Sequence, residues 1–371
     1  MKIEIHLKRV LQQHNMDNHG ITQKIARDLG VHRHTIGKLY KNAVSNISLS
    51  LLGKLCDWLI DNGVDRQQLP NALIGSCPDS LWQAVARPGR VTIYLGEYQE
   101  LTKGSTIWRW LSKSDDIVAT RFVESLSTPT TIGVSAPTVR TEYVPFRWDT
   151  QSPAPVQKPF PQTVKIAGRI FEQMHASVNR TAIIIGSQRV NSLLEYFVAD
   201  LFGAAPFTPA IGKAAVPFYL LHRNGDHAVE SCFGGLGNPP GHKGRPAPGI
   251  YHLDAAGKWV FCPWKLNEQG LGIVLMQWDP GLAKLEMAVF GYSGRCTAAL
   301  GAWLAHPQAF SSALWPPPLA FGGRSVGIHI LRITYQNDDS LHDLKDSSAY
   351  PAASDIEIIN LDETVVSSFL R

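Results

Sequence analysis

Residues Thr22 to Lys41 read TQKIARDLGVHRHTIGKLYK, and their spacing decides the fold of the first part of the chain. Gly30 stands where a first helix must end, in the left-handed conformation that a Cβ resists. Ala26 stands where two helices cross too closely for a larger side chain. Leu29, Val31, Ile36 and Leu39 fall at the spacings that place apolar groups on buried helical faces. The pattern predicts two short helices at a sharp turn. The second leaves His32, Arg33, His34, Gly37, Lys38 and Lys41 for solvent, a basic face with no carboxylate. Such a face suits the phosphates and base edges of DNA.

Outward from this stretch, the charge is lopsided. From Met1 to Lys54 nine Lys or Arg stand against three Asp or Glu, a local charge of +6 in a chain whose net charge is +4. The rest is therefore slightly acidic, and a basic head on a near-neutral body localises nucleic-acid contact at one end. Amphipathic helices are predicted on both sides, from Ile3 to Met16 and from Ser48 to Val64.

With Ala26, Gly30, Val31, Ile36 and Leu39 in place, the stretch resembles the helix-turn-helix of the phage repressor and Cro family, also called the XRE family. Together with its flanking helices the resemblance covers about a sixth of the chain. It implies an all-α domain of four or five helices whose second motif helix enters the major groove, usually in a homodimer on a palindromic double-stranded operator. It also implies that Gln23 meets a phosphate, that His32, Arg33, His34 and Lys38 face base edges or the adjoining backbone, and a bacterial or phage setting.

A chain of 371 residues is too long for that domain alone. Residues 1–68 are assigned to the helix-turn-helix domain, 69–90 to a connector rich in Pro and Gly with one short helix, and 91–371 to a larger α/β domain for sensing and dimerisation. A further division is expected near the proline-rich segment 144–161, VPFRWDTQSPAPVQKPFP. The five cysteines, at 56, 77, 232, 262 and 296, are odd in number and form no CxxC pair. They read as reduced thiols of a cytoplasmic protein, with neither a disulfide framework nor a metal site. MKIEIHLKRV lacks the apolar core of a signal peptide, and no apolar run approaches the ~20 residues of a membrane helix.

Past residue 90 the pattern alternates. Strands are predicted at Val91 to Tyr98, Ile132 to Ser135, Thr181 to Gly186, Gly272 to Trp278, Leu285 to Gly291 and Val326 to Tyr335. Helices are predicted around Ile117 to Leu126, capped by Ser114 or Asp115, from Val164 to His175, from Asn191, and after Gly294. The C-terminus reads as a polar segment and an acidic tail. Alternation of this kind predicts an α/β domain with a mainly parallel or mixed sheet.

Two strand-to-helix turns, GSQRVN at 186–191 and GYSGRCT at 291–297, stand where open α/β sheets bind ligands. Ser187, Arg189, Asn191, Ser293, Arg295 and Thr297 supply hydroxyl, amide and guanidinium groups suited to phosphate or carboxylate. A nucleotide-like or other anionic effector fits that set, and no cofactor is required. The glycine-rich loop Phe233 to Gly249, with His242, Lys243 and Arg245, could close over such an anion. GYSGR approaches the GxSxG nucleophile elbow, but Arg295 replaces its last glycine, and His222, His227, His252, His306 and Asp279 have no diagnostic spacing as partners. The sequence therefore favours a DNA-binding transcription regulator, a repressor with a sensing and dimerising body, not an enzyme. Its rivals are a nucleotide- or NAD-processing enzyme with a DNA-binding head, and a body that serves only oligomerisation.

Overall fold

A computed structural model describes residues 3–44, 46–66, 69, 73–76, 78–101, 107–128, 135–147, 156–223, 228–321, 324–335 and 353–371. Among the described residues, buried apolar side chains form two large cores, one drawn from Ile5 to Leu73 and one from Leu81 to Leu370, and a small third cluster of Phe146 and Val229.

The first core is the head. Strand β1 (Ile3–Ile5) precedes four helices, α1 (Leu7–Gln13), α2 (Ile21–Leu29), α3 (Arg33–Tyr40) and α4 (Leu49–Asp61). Ser48 caps α4 by accepting from the Leu51 N–H at 3.2 Å, a standard answer to the unpaired amides of a first turn. Where one helix was expected from Ile3, the chain instead pairs Ile3–Ile5 antiparallel with β2 (Ile74–Ser76) and turns helical only at Leu7. A distant partner strand thus overrides the local helical period. The chain from 69 to 90 is divided between the two cores. Leu69 and Leu73 are buried in the head, while α5 (Leu81–Ala86) is buried in the body, tied there by Trp82 Nε1–H donating to the Pro307 carbonyl at 2.7 Å.

The body is built on a nine-stranded mixed sheet. In chain order its first strands and helices are β3 (Arg90–Leu101), β4 (Ile107–Leu111), α6 (Lys113–Ser127) and β5 (Thr138–Phe146). A short β6 (Val156–Gln157), α7 (Pro161–Ala176), β7 (Thr181–Ile185) and α8 (Ser192–Phe202) follow. Strands β8 (Phe218–Leu221), β9 (Ala228–Val229), β10 (Gly234–Gly235), β11 (Gly249–Leu253) and β12 (Trp259–Pro263) come next, β9 pairing with β6 and the others forming a four-stranded sheet of their own. The chain then returns to the large sheet with β13 (Gln269–Asp279) and β14 (Lys284–Gly291), followed by α9 (Gly294–Leu304) and α10 (Pro307–Leu314). It closes with β15 (Leu319–Phe321), β16 (Arg324–Tyr335), β17 (Ala353–Asn360) and α11 (Glu363–Phe369).

Strands β5, β3, β7 and β14 run parallel side by side, and β13, β16 and β17 add antiparallel pairs beyond β14. The continuous apolar runs have the expected cause: every residue of β7 and β14 is buried, because α6 pairs with α9 and α7 with α8 over the sheet. The two charged residues of β14 answer each other, Lys284 Nζ lying 2.8 Å from Glu286. The strand expected at Ile132 to Ser135 falls, except for Ser135, outside the described residues, as do 148–155 of the proline-rich segment. That segment opens inside strand β5 and ends at α7, whose first residue is Pro161. The expected acidic tail is instead β17, paired with β16, and α11.

Buried Glu195 on α8 fastens the smaller sheet to the larger one. Its carboxylate accepts from the N–H groups of Phe207 (3.0 Å) and Cys232 (2.6 Å) and from Ser231 Oγ (2.8 Å). The loop Phe233 to Gly249 is pinned to that smaller sheet, with Trp259 Nε1–H donating to the Pro240 carbonyl and His242 against the Tyr251 ring.

Head and body meet at the turn between β13 and β14. Lys8 lies 3.7 Å from Asp279, and the space a Gly281 side chain would take is bordered by Lys8 Cβ and the Tyr40 carbonyl at the end of α3. Beside them His6, fully buried, lies 3.1 Å from Arg87 through its Nε2. Burial, with Arg9 and Arg87 nearby, pulls the His6 pKa from 6.5 down to about 3.

Two consequences are measurable. A Gly96→Ala Cβ would lie 1.6 Å from the Val190 carbonyl oxygen, so the variant should lose at least about 1–3 kcal/mol in denaturant unfolding. His6 is neutral in the fold at pH 7, so its contribution is full above pH 6.5 and is lost as pH falls through 6.5 toward 3. Wild type should lose about 2 kcal/mol at pH 5 from this group, and a His6→Gln variant should show a shallower pH dependence of its unfolding midpoint.

Candidate functional site

In the head, α2 ends at Gly30 with φ 65°, where the sequence required a left-handed residue. Ile25, Ala26, Ile36 and Leu39 are buried between the helices, with Leu29 and Val31 packed at the edge of that core. The motif's polar side chains are thereby turned outward. Gln23, His32, Arg33, His34, Lys38 and Lys41 are exposed and Gly37 is half-buried. Thr22, His32, Arg33, His34, Gly37, Tyr40 and Lys41 together border a concavity of about 430 Å³, while Gln23 and Lys38 stand outside it.

His32 caps α3. Its Nδ1 accepts from the His34 N–H at 3.2 Å, which leaves the ring proton on Nε2 as a donor. The acids nearest this face are engaged elsewhere: Asp17 accepts from Tyr40 Oη at 2.8 Å, and Asp28 accepts from Trp58 Nε1–H at 3.1 Å. The helix therefore presents positive charge and donors without a carboxylate among them.

The body holds a second site. From β3 the chain leaves toward the outer strand β5, and from β7 it leaves the other way, toward β14. Between β3 and β7 is thus a topological switch point, the place where open α/β sheets bind ligands beyond the carboxyl ends of their strands. A cavity of about 360 Å³ opens there, within the range of small-molecule sites. Gly96, Tyr98, Trp110 and Phe146 wall one side, Ser187, Arg189 and Val190 a second, and Tyr292, Ser293, Gly294 and Thr297 a third, with Ser112, Ser114 and Asp115 also lining it.

Of the six residues proposed on the two turns, four line this cavity: Ser187, Arg189, Ser293 and Thr297. The other two are turned away. Asn191 is buried as the cap of α8, its Oδ1 accepting from the Leu193 N–H and its amide donating to the carbonyls of Tyr94 (3.1 Å) and Ile185 (2.9 Å). Arg295 donates to Asn267 Oδ1. Nor does the Phe233 to Gly249 loop cover the site, since its hydrogen bonds hold it on the smaller sheet.

Ser293 caps α9, its Oγ 3.1 Å from Cys296 Sγ. The close strand-to-helix approach that an elbow needs is made by Gly291, where a Cβ would lie 2.3 Å from the Thr297 N–H. The described histidines and acid weighed as partners lie elsewhere. His222 pairs with Gln188 at 3.0 Å, His252 lies against the Leu253 carbonyl and Asp279 faces Lys8; His306 stands just before α10 and does not line the cavity, while His227 lies outside the described residues. Among the described residues no three His, Cys, Asp or Glu gather as a metal site, and no helix is long and apolar enough to cross a membrane.

Asp115, read from the sequence only as a cap for α6, is the residue that no local pattern assigned to a ligand site. It sits in the first turn of α6, capped by Ser112 instead of by Ser114 or Asp115. It is only 4% exposed, and its Oδ2 has no hydrogen-bond partner among the described residues. A Cβ on Gly186, at the end of β7, would lie 2.6 Å from that oxygen. Burial raises its pKa to about 7, against the opposing pull of the Ser112 and Ser114 hydroxyls. Tyr98 and Trp110 face each other across β3 and β4 with ring centroids 4.5 Å apart, and Phe146 lies 5.2 Å from Tyr98.

No curated protein and no solved structure shows significant similarity to the chain. Residues 6–59 match the family model of the Cro/C1-type helix-turn-helix DNA-binding domain, so the head, with its Gly30 turn and exposed α3, is a DNA-binding domain of that type.

Proposed function

We propose that the chain is a transcription regulator, acting as a repressor, that binds a two-fold symmetric operator as a homodimer through α3 and senses an anionic effector in its body. The observation that carries the proposal is the exposed basic face of α3, from His32 to Lys41, on a head of Cro/C1 type. The sensing half rests on the switch-point cavity and on how the two sites are connected. Strand β14 begins beside the turn that meets Lys8 and Tyr40 and ends at Gly291 on the cavity wall. A ligand that draws the Ser187–Val190 and Tyr292–Gly294 turns together acts on one end of this strand, and the head rests at the other. Half-sites lie ~34 Å apart per turn of DNA, so a small change in the spacing of two recognition helices is enough to weaken operator binding.

In this scheme Arg33→Ala and Lys38→Ala should each cost roughly 1–3 kcal/mol of operator affinity where the side chain reads a base, with specificity relaxed at that base pair. Fluorescence anisotropy with an operator selected from a random pool tests this, and an unchanged affinity in the double variant would remove α3 as the recognition helix. Raising salt should also weaken binding, with log K falling by about 0.9 per phosphate contact for each decade of salt. A flat salt response would argue against the basic head as the contact surface.

A further inference from the structure

Three helices of eleven or more residues, α6, α8 and α9, begin around the switch-point cavity. The positive ends of their dipoles favour negative charge there, and Arg189 adds a cation on the same wall. An anion-binding cradle of this kind has no obvious use for a carboxylate, yet Asp115 is buried in it with one oxygen unpartnered among the described residues. The opposite wall differs in kind. It is aromatic, made of Tyr98, Trp110 and Phe146, and Trp110 remains 46% exposed at the rim. A flat ring with one open face is a stacking platform.

We infer that this cavity binds a mononucleotide, with its phosphate among the starts of α6, α8 and α9 beside Arg189, its base on Trp110 and Tyr98, and Asp115 as a hydrogen-bond donor to the phosphate. The inference rests on the effector-binding reading of the body and supplies the class of its ligand. An aromatic anion accounts for both walls at once, whereas a bare anion does not engage the exposed tryptophan and an uncharged ring does not answer the positive helix starts. A carboxyl group beside a phosphate is tolerable only as the neutral acid, and Asp115 is placed for that. Its pKa of about 7 arises from burial, opposed by Ser112 and Ser114. Few other charges bear on it. Arg189 shares the cavity, Lys113 and Asp116 flank Asp115 on exposed positions of α6, Glu97 on β3 is held by Gln99 and Arg109, and Arg295 on α9 is bonded to Asn267. The sign follows: the donor is present below pH 7 and is lost as pH rises through it, so affinity should fall by up to about tenfold per pH unit above that point.

Isothermal titration of the full-length protein with AMP, GMP, CMP and UMP, and with inorganic phosphate and the four nucleosides as half-ligands, tests the inference. At least one mononucleotide should bind, and at least tenfold more tightly than its nucleoside or phosphate. Trp110→Ala, at an exposed position that leaves the core untouched, should reduce that affinity roughly 5- to 150-fold. Asp115→Asn, a permanent donor, should bind with an affinity that no longer declines between pH 6.5 and 8.5 beyond the phosphate's own titration, with circular dichroism confirming its fold. Phosphate binding as tightly as any nucleotide, or a Trp110→Ala variant that binds nucleotides normally, would overturn the inference. Binding of benzoate or citrate in place of nucleotides would overturn it while leaving the effector-binding reading intact. If none of these anions bound or altered operator affinity, both would fall.

Discussion

Backbone meets backbone at Gly96 in β3, just past its last pair with β7, and at Gly291, the end of β14, and only the absence of a side chain allows it. The Val190 carbonyl occupies the place of a Cβ on Gly96, and the Thr297 amide crowds that of a Cβ on Gly291. These two approaches draw the turns that start α8 and α9 in over the sheet edge. The cavity is what remains between them, bordered by Val190 just before α8 and by Ser293 and Gly294 at the start of α9. Asp115 completes the arrangement from α6, where Ser112 and Ser114 stand 2.7 Å apart and hold its carboxyl. The chemistry of the site is thus inherited from steric constraints on strands that carry none of it.

The junction between head and body has a different energetic character. Lys8 is half-buried and Asp279 buried, and at 3.7 Å they lie beyond hydrogen-bond distance, so the ion pair between them is loose. The firmer contact is His6 with Arg87, where a neutral imidazole is needed because a charged one would be buried beside two guanidinium groups. Among the described residues, α1 and the end of α3 meet the body around Pro280 and Gly281. The strand that follows that turn, β14, is buried from end to end, and closely packed interiors yield little along their length.

How much of this was legible in the sequence follows from how local each cause is. The turn at Gly30 and the buried Ile36 and Leu39 depend on residues within a few positions of each other, and their pattern survives folding. So do the apolar runs of β7 and β14, whose burial on both faces needs no pattern beyond continuity. Ser187, Arg189, Ser293 and Thr297 were within reach because a strand-to-helix turn beyond the sheet is a local feature with a known place. Asn191 and Arg295 do not line the cavity, Asn191 because it caps its own helix and Arg295 because the distant Asn267 accepts from it. Asp115, Tyr98 and Trp110 reach the same cavity only because β3 lies beside β7, a pairing across some ninety residues that no window of sequence expresses. Strand β1 and strand β17 were missed likewise, each being decided by a partner far along the chain or by an alternation hidden under charge.

The pairing of β1 with β2 has a practical corollary for anyone wishing to cut the molecule. A fragment trimmed to the helices, ending at Asp61, would leave the backbone of Ile3–Ile5 without its ladder and the cap of the small core without Leu69 and Leu73. His6 would also lose the Leu73 carbonyl that its N–H reaches at 2.7 Å. The smallest piece that keeps its own floor runs to Ser76. A protease that nicked the chain just after α4 would therefore do more than sever a tether: it would remove a wall of the room in which α3 is held.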